Sequence, residues 1–379
     1  MSAASATRLE QLVEEAQRVL SICNACRYCE GYCAVFPALE RRLEFTESDV
    51  HYLANLCHNC GACLYACQYA PPHEFQLNFP RVLAQVRGQT YKKYTWPACL
   101  GGAFDRNGLV VSLATAASLA FIFLLTAWHA DPARLFAAHS DAQGSFYAVL
   151  PHATLVAVFG AVFGFILVAC VMSFLRFWPD TGEEVAQFVN PVSLGAAASD
   201  AAALKYLDGG GEGCTYPDQK PSFARRNFHH FTSYGFMLCF AATSVATIYH
   251  YVFGWKAPYP GFSLPVILGT LGGIGLLVGP AGLLALKRRR DPQLVDEGQD
   301  GMDVGFLALL FLVSLTGLAL LFYREARAMG VLLALHLGVV LALFLTLPYG
   351  KFMHALYRFA ALVRFHLERK RALPSIASE

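Results

Sequence analysis

The chain has 379 residues, 56% of them hydrophobic and 15% charged, with a formal net charge of +2. That balance argues against an ordinary soluble enzyme and gives no basis for nucleic-acid binding. The first hundred residues are of ordinary polarity, and the remainder holds several apolar runs long enough to span a bilayer. Met1–Glu15 has no apolar core of a secretory signal, so none is expected.

Thr7 and Glu10 are spaced as a capping box for a first helix. Leu9, Leu12, Val13, Ala16, Val19 and Leu20 then recur at helical spacing on one apolar face. Two cysteine runs follow. Cys23, Cys26, Cys29 and Cys33 form C-x2-C-x2-C-x3-C, and Cys57, Cys60, Cys63 and Cys67 repeat it, using eight of the 12 cysteines. Three thiolates at this spacing wrap one [4Fe–4S] cluster, and the fourth cysteine of each run reaches across to the other. The expected sharing is Cys23, Cys26, Cys29 and Cys67 on one cluster, with Cys57, Cys60, Cys63 and Cys33 on the second. Paired C-x2-C units also make zinc sites, but zinc has no use for a third cysteine at constant spacing. Cluster thiolates belong in a reducing compartment, which places this region in the cytoplasm.

Between the runs lie 23 residues. Ser48 is a candidate cap for a helix through Val50, Leu53 and Leu56. A helical insert of this kind is similar to the α-helical ferredoxin found in the iron–sulfur subunits of fumarate/succinate reductase and of heterodisulfide reductase. Residues 1–95 are therefore expected to form an α-helical two-cluster domain. Proline does not directly follow Cys33 or Cys67, the nearest being Pro37 and the pair Pro71 and Pro72, so the local turn is expected to differ. Arg81, Arg87, Lys92 and Lys93 make a basic segment suited to a membrane surface. His51, His58 and His73 are expected at the surface or just outside the clusters.

Residues 96–379 read as a six-span membrane domain: Gly108–Trp128, Phe146–Phe177, His229–Phe253, Ser263–Leu286, Met302–Phe322 and Met329–Tyr349. The fold class is thus all-α. Lysine and arginine concentrate on one side: the stretch before the first span, Lys205, Lys220, Arg225 and Arg226, then Lys287–Arg290, then Lys351, Arg358, Arg364 and Lys370. The opposite loops hold Arg134, Lys256, Arg324 and Arg327. The positive-inside rule puts both termini in the cytoplasm, in an inner-membrane, multi-pass protein. In the cytoplasmic loop 179–228, Asn190 and Pro191 are placed to cap and open an alanine-rich helix ending near Leu207. Asp208–Cys214 is glycine-rich without being a dinucleotide fingerprint, and reads as a flexible loop. Cys99, Cys170 and Cys239 read as small packing residues.

Histidines inside spans are rare and point to function. His229 or His230 opens the third span, His250 ends it, His336 lies within the sixth, and His354 follows it. These are candidate axial ligands of one or two b haems, stacked as His250 with His336 and His229 with His354. From 336 to 354 is 18 residues, five turns at ~100° per residue, so a continuous helix would put both on one face about 27 Å apart. Pro348-Tyr349-Gly350 is where that helix can bend or end. The step from 229 to 250 stays within ~60° of one face, which favours His229 over His230. Without C-x-x-C-H, any haem is held without thioether bonds. His129 and His152 read as interfacial.

The whole resembles the tricarballylate (citrate) utilisation protein B family, TcuB. The likeness rests on C-R-Y-C-E-G-Y-C-A-V-F-P (Cys26–Pro37), C-H-N-C-G-A-C-L-Y-A-C-Q-Y-A-P-P-H-E-F (Cys57–Phe75), Y-L-D-G-G-G-E-G-C (Tyr206–Cys214) and H-H-F-T-S-Y-G-F-M-L-C-F-A-A-T-S (His229–Ser244). The stretch from His336 to L-P-Y-G-K-F-M-H, ending at His354, is also similar to the haem-bearing end of the nitrate reductase membrane subunit. The resemblance implies a membrane electron carrier that takes electrons from a separate FAD-dependent dehydrogenase, TcuA-like, which oxidises tricarballylate. Electrons would pass through two clusters and haem b to quinone as acceptor, with no acid–base or nucleophilic residue of its own. A fused flavoprotein form, CobZ, leaves the organic substrate open. Two other readings stay open: a quinol dehydrogenase subunit feeding a cytoplasmic reductase, and a membrane redox sensor.

Overall fold

The computed structural model describes residues 3–138, 144–215 and 217–371; of these, the side chains of residues 3–8 and of Arg134 lie outside the description. Among the described residues the protein is all-helical, with one lone antiparallel bridge between Cys214 and Ser222. The helices of ten residues or more are α1 (Ala3–Cys26), α2 (Glu47–Leu56), α3 (Phe79–Tyr94), α4 (Asn107–His129), α5 (His152–Asp180), α6 (Pro191–Ala202), α7 (Ala224–Phe253), α8 (Leu264–Arg288), α9 (Asp300–Phe322), α10 (Met329–Thr346) and α11 (Met353–Glu368).

Six of these, α4, α5 and α7 to α10, are long and apolar enough to cross a membrane. Their apolar residues face outward: only 6% of the most apolar stretch of α7 and 11% of that of α5 are buried, an inversion that water would not tolerate but lipid does. α10 is the axis of the bundle, with 56% of its apolar stretch buried. α7 and α8 press together through glycines. A Cβ at Gly272 would stand 2.8 Å from the Cys239 amide nitrogen, and one at Gly279 would run into Thr232 Oγ1. Small residues of this kind let helices in lipid approach to backbone contact.

The boundaries differ from expectation where caps or prolines decide. α1 is already helical at Ala3, the first described residue, ahead of Thr7. α2 is capped by Thr46, not Ser48: Thr46 Oγ1 accepts from the Asp49 amide and the Asp49 carboxylate accepts from the Thr46 amide. The second span begins at His152, because Pro151 separates it from a short turn over Ser145–Val149. α7 begins at Ala224, which carries Arg225 and Arg226 into the helix. The Asn190 cap and Pro191 start of α6 are as expected, although the helix stops at Ala202. The sixth span does not run on to His354. It ends in a tight turn over Leu347–Tyr349, Gly350 is extended, and α11 starts anew at Met353.

α11 is amphipathic and returns to the cysteine-bearing region. Tyr357, Ala360, Ala361, Val363 and Phe365 share one core with Tyr52, Leu53, Leu56 and Tyr91 from α2 and α3, and with Phe177 and Trp178 from the end of α5. A buried charge cluster seals it. Arg42 pairs with Asp49 at 2.5 Å and with Glu368, Arg364 pairs with Glu368 at 2.9 Å, and the Tyr52 hydroxyl donates to Glu368 at 3.2 Å. Burial alone would raise the Asp49 carboxyl, but Arg42, Thr46 and Arg364 hold it below the usual range.

Candidate functional site

The two cysteine runs are built alike. Cys23 and Cys26 lie on the last turn of α1, and Cys57 caps the end of α2. After the second cysteine of each run the backbone turns left-handed, at Arg27 (φ 56°) and Gly61 (φ 84°), bringing the third cysteine back toward the first two. Cys23, Cys26, Cys29 and Cys67 line one cavity of about 300 Å³. Cys33, Cys57, Cys60 and Cys63 line a second, smaller one, and Phe36, Phe79 and Cys63 border both.

The electrostatics divide the same way. Burial and then Cys67 push the Cys29 thiol up to about 12, and burial followed by Cys60 and Cys57 pushes Cys33 well above its ordinary value. Thiols crowded like this cannot ionise together unless positive charge is placed among them, and cluster iron supplies it. Backbone amides of Val35 and Phe36 point at the Cys33 sulfur and that of Ala62 at Cys60, a donor set suited to thiolate. Among the described residues no three His, Cys, Asp or Glu side chains are placed to hold a single metal ion.

The glycine-rich loop, expected to be flexible, is a fitted cover. Gly209, Gly210, Gly211 and Gly213 all take positive φ (62°, 83°, 104° and 102°). A Cβ at Gly210 would stand 3.1 Å from the Gly31 carbonyl, and one at Gly209 3.4 Å from the Ala62 Cβ, so the loop lies over both cysteine runs. Cys214 exchanges backbone hydrogen bonds with Ser222 (3.0 and 2.9 Å) and is buried beside Cys60.

A third cavity, about 560 Å³, opens between the second cysteine run and the bundle. His58 and Asn59 line both it and the second cysteine cavity, so the two are neighbours across one residue layer. On the far wall His229 and His354 face each other, ring centroids 6.1 Å apart and planes at 79°. Two imidazoles on opposite sides of one iron, at ~2 Å each, would put their centroids roughly 6 Å apart. His354 donates its Nδ1 proton to the Lys351 carbonyl, which leaves Nε2 for a metal; Lys351 is itself held by Asp303 at 2.7 Å. Burial, then Arg358 and Lys351, push His354 well below its ordinary value and keep it in the neutral, ligating form. Buried polar atoms without hydrogen-bond partners around this cavity include His58 Nδ1, Asn59 Oδ1, His229 Nδ1 and Arg358 Nε. A large apolar cavity with a facing histidine pair, an unpartnered Arg358 Nε–H and further basic side chains in its lining fits a haem with its two carboxylates.

The other candidates fall elsewhere. His250 stacks flat on His152 at 3.9 Å, and His336 lies against Gly317 with its Nδ1 3.1 Å from Thr316 Oγ1. The rings of His250 and His336 make no contact with each other among the described residues. His129 meets Thr154 at 3.3 Å near the same end. His51 and His58 are buried: His58 lines the second cysteine cavity, the second of its two expected places, and His51 meets the Tyr94 hydroxyl at 2.7 Å. Cys99 is exposed, whereas Cys170 and Cys239 pack against the core as expected. Arg87, expected at a membrane surface, is buried.

Family models match most of the chain: one described as citrate utilization protein B over residues 103–375, and a citrate utilization protein B Fer4-like domain over residues 16–93. An Escherichia coli protein, "Citrate utilization protein B", is 53% identical over 358 residues, covering 94% of this chain and 93% of its own. No solved structure matches.

Proposed function

This chain belongs to the citrate utilization protein B family, and from that premise we propose that it carries electrons from a cytoplasmic FAD-dependent dehydrogenase, through two [4Fe–4S] clusters and one haem b, to membrane quinone. Membership with an iron–sulfur-like domain and six apolar helices fits a membrane electron carrier. In this reading Cys23, Cys26, Cys29 and Cys67 hold the first cluster, Cys33, Cys57, Cys60 and Cys63 the second, and His229 and His354 the haem iron. The clusters and haem would supply one-electron chemistry, and the chain's own work is to hold and insulate them.

The observation that carries the reading is adjacency. His58 and Asn59 line both the second cysteine cavity and the cavity walled by the histidine pair, so the two sites are separated by one residue layer. His229 and His354 are the pair found facing each other across the cavity, and that arrangement supports placing a haem there. The charge bias of the loops supports cytoplasmic placement of both termini and of residues 1–95. The citrate or tricarballylate end of the route belongs to the flavoprotein partner.

The test is a reduced-minus-oxidised spectrum of the anaerobically purified protein in detergent, with haem and iron counted per chain. The expected result is one b-type haem and about eight non-haem irons, two cubes of four. No haem, or zinc in place of iron, overturns the reading.

A further inference from the structure

Three arginines converge on the few residues that lead into the second cysteine run. Arg225 Nη1 donates to the Asn59 carbonyl at 2.6 Å and its Nη2 to that of His58 at 3.1 Å. Arg87 Nη1 donates to Cys57 O at 2.6 Å and Ala54 O at 3.2 Å. Arg358 Nη2 reaches the same Cys57 carbonyl at 2.8 Å. They come from α7, α3 and α11, elements far apart in the chain.

Two of them stand in a telling place. Arg225 is four residues before His229 on α7, and Arg358 is four residues after His354 on α11. Residues four apart lie one above the other on a helix face. Each helix that offers an imidazole to the large cavity therefore offers, one turn away, a guanidinium bonded to the cysteine loop. We propose that Arg225 and Arg358, backed by Arg87, are positioning residues that set the energy of an electron at the second cluster and lock that cluster's loop to the histidine pair. The proposal rests on the reading of Cys33, Cys57, Cys60 and Cys63 as cluster ligands.

Adding one electron to a cluster held by four thiolates adds one negative charge, with no bond made and no proton moved. The electron arrives from the first cluster and leaves toward the histidine-bound iron. Each guanidinium carries its positive charge to these carbonyls, and inside the protein a charge this close acts with little screening, so removing it changes the field at the second cluster. These charges favour the reduced state of the second cluster. Among the described residues no arginine lines the first cluster's cavity, which makes it an internal reference. Arginine also suits the geometry, since its fork spans two adjacent carbonyls where lysine reaches one.

The bland alternative is that the arginines merely cap the carbonyl end of α2. Glutamine variants separate the two, because glutamine keeps a donor and removes the charge. Arg225→Gln and Arg358→Gln would be titrated as full-length, anaerobic protein, with both clusters followed by electron paramagnetic resonance. Each is expected to shift the sharing of one electron between the clusters about tenfold toward the first, ~59 mV for one electron. Arg→Lys at the same site is expected to restore it to within about threefold. Two intact clusters with unchanged sharing in the glutamine variants overturns this proposal alone. Absence of two clusters in the unaltered protein overturns the underlying reading, and this proposal with it. Should a glutamine variant lose the second cluster, the lysine variant decides: retention with restored sharing supports the role of charge, and loss there too refutes it.

Discussion

At the end of the bundle that meets the cysteine runs, His229 and His354 face each other across 6.1 Å. At the far end, His250 lies flat against His152 at 3.9 Å. The residue types are the same and the chemistry is not. An imidazole's lone pair lies in its ring plane, so two stacked rings point theirs side by side rather than at a shared point. Two rings that face across a gap, each with a nitrogen turned inward, can share a metal. The difference comes from what lies behind each ring. Behind His354 stand Lys351, Asp303 and a turn fixed by Gly350; beside His250 stand Tyr147 and Tyr251, which pack around it.

The sharpest break of that comparison is substitution of the rings themselves. His354→Ala and His229→Ala are each expected to lose the b-type absorbance, with haem per chain falling at least tenfold, while iron–sulfur content stays. His336→Ala and His250→Ala are expected to keep it. Retention in the first pair, or loss in the second, would reverse the assignment of the two ends; pyridine haemochrome counts decide.

Next in size is the anchoring of the ends. Glu368 is buried between Arg42 and Arg364, so Glu368→Ala takes a buried carboxylate from two guanidinium groups and leaves them to share Asp49, at a cost of about 3 kcal/mol. At the far end the Arg324–Glu325 pair is 3.8 Å apart with Glu325 exposed, and Glu325→Ala is expected to change stability by less than about 1 kcal/mol. Urea unfolding followed by near-ultraviolet circular dichroism compares the two.

Acid should reach the cysteine end through the same cluster of charges. Asp49 is held below its ordinary value, so the folded chain binds its proton less readily than the unfolded one. Its stabilisation is therefore fully present above the ordinary carboxylate value of ~4 and is lost as pH falls through the lower folded value. Hydrogen exchange along α11 is expected to speed up below about pH 4 in the native protein. In Asp49→Asn that acid step is expected to be reduced, because the contribution is absent at every pH.

Much of this was legible from local signals. Repeated cysteine spacing, apolar run length, the Asn190 cap and the rotation that favours His229 all depend on near neighbours in sequence. What was missed depends on distant ones. His58 is placed near the cysteines by its sequence neighbours, but that it also borders the cavity of His229 and His354 emerges only when α7 closes over it. The acceptors of Arg87, Arg225 and Arg358 are backbone carbonyls, which leave no mark in a sequence, although the four-residue spacing of Arg225 with His229 and of His354 with Arg358 was there to be seen. Four glycines in five residues at Gly209–Gly213 signalled positive φ as much as flexibility. The sixth span ends at Tyr349 and the helix breaks at Pro348-Tyr349-Gly350, as the sequence allowed; what it could not show is that α11 then finds its core among α2 and α3.

The smallest expected effect tests how finely that end is built. Thr46 Oγ1 accepts the Asp49 amide at 3.2 Å, and the Asp49 carboxylate accepts the Thr46 amide at 3.2 Å. Thr46→Ala is expected to cost about 1 kcal/mol, Thr46→Ser close to nothing, and Ser48→Ala less than about 0.5 kcal/mol. An equal loss at Ser48 would restore the cap expected from sequence. Asp49 also accepts from Arg42, which in turn holds Glu368. Thr46→Ala and Glu368→Ala should then fail to add, because freeing Asp49 from its cap loosens the partner that Arg42 retains once Glu368 is gone. A double-mutant cycle with additivity within about 0.3 kcal/mol would mean that the α2 cap and the α11 anchor act independently.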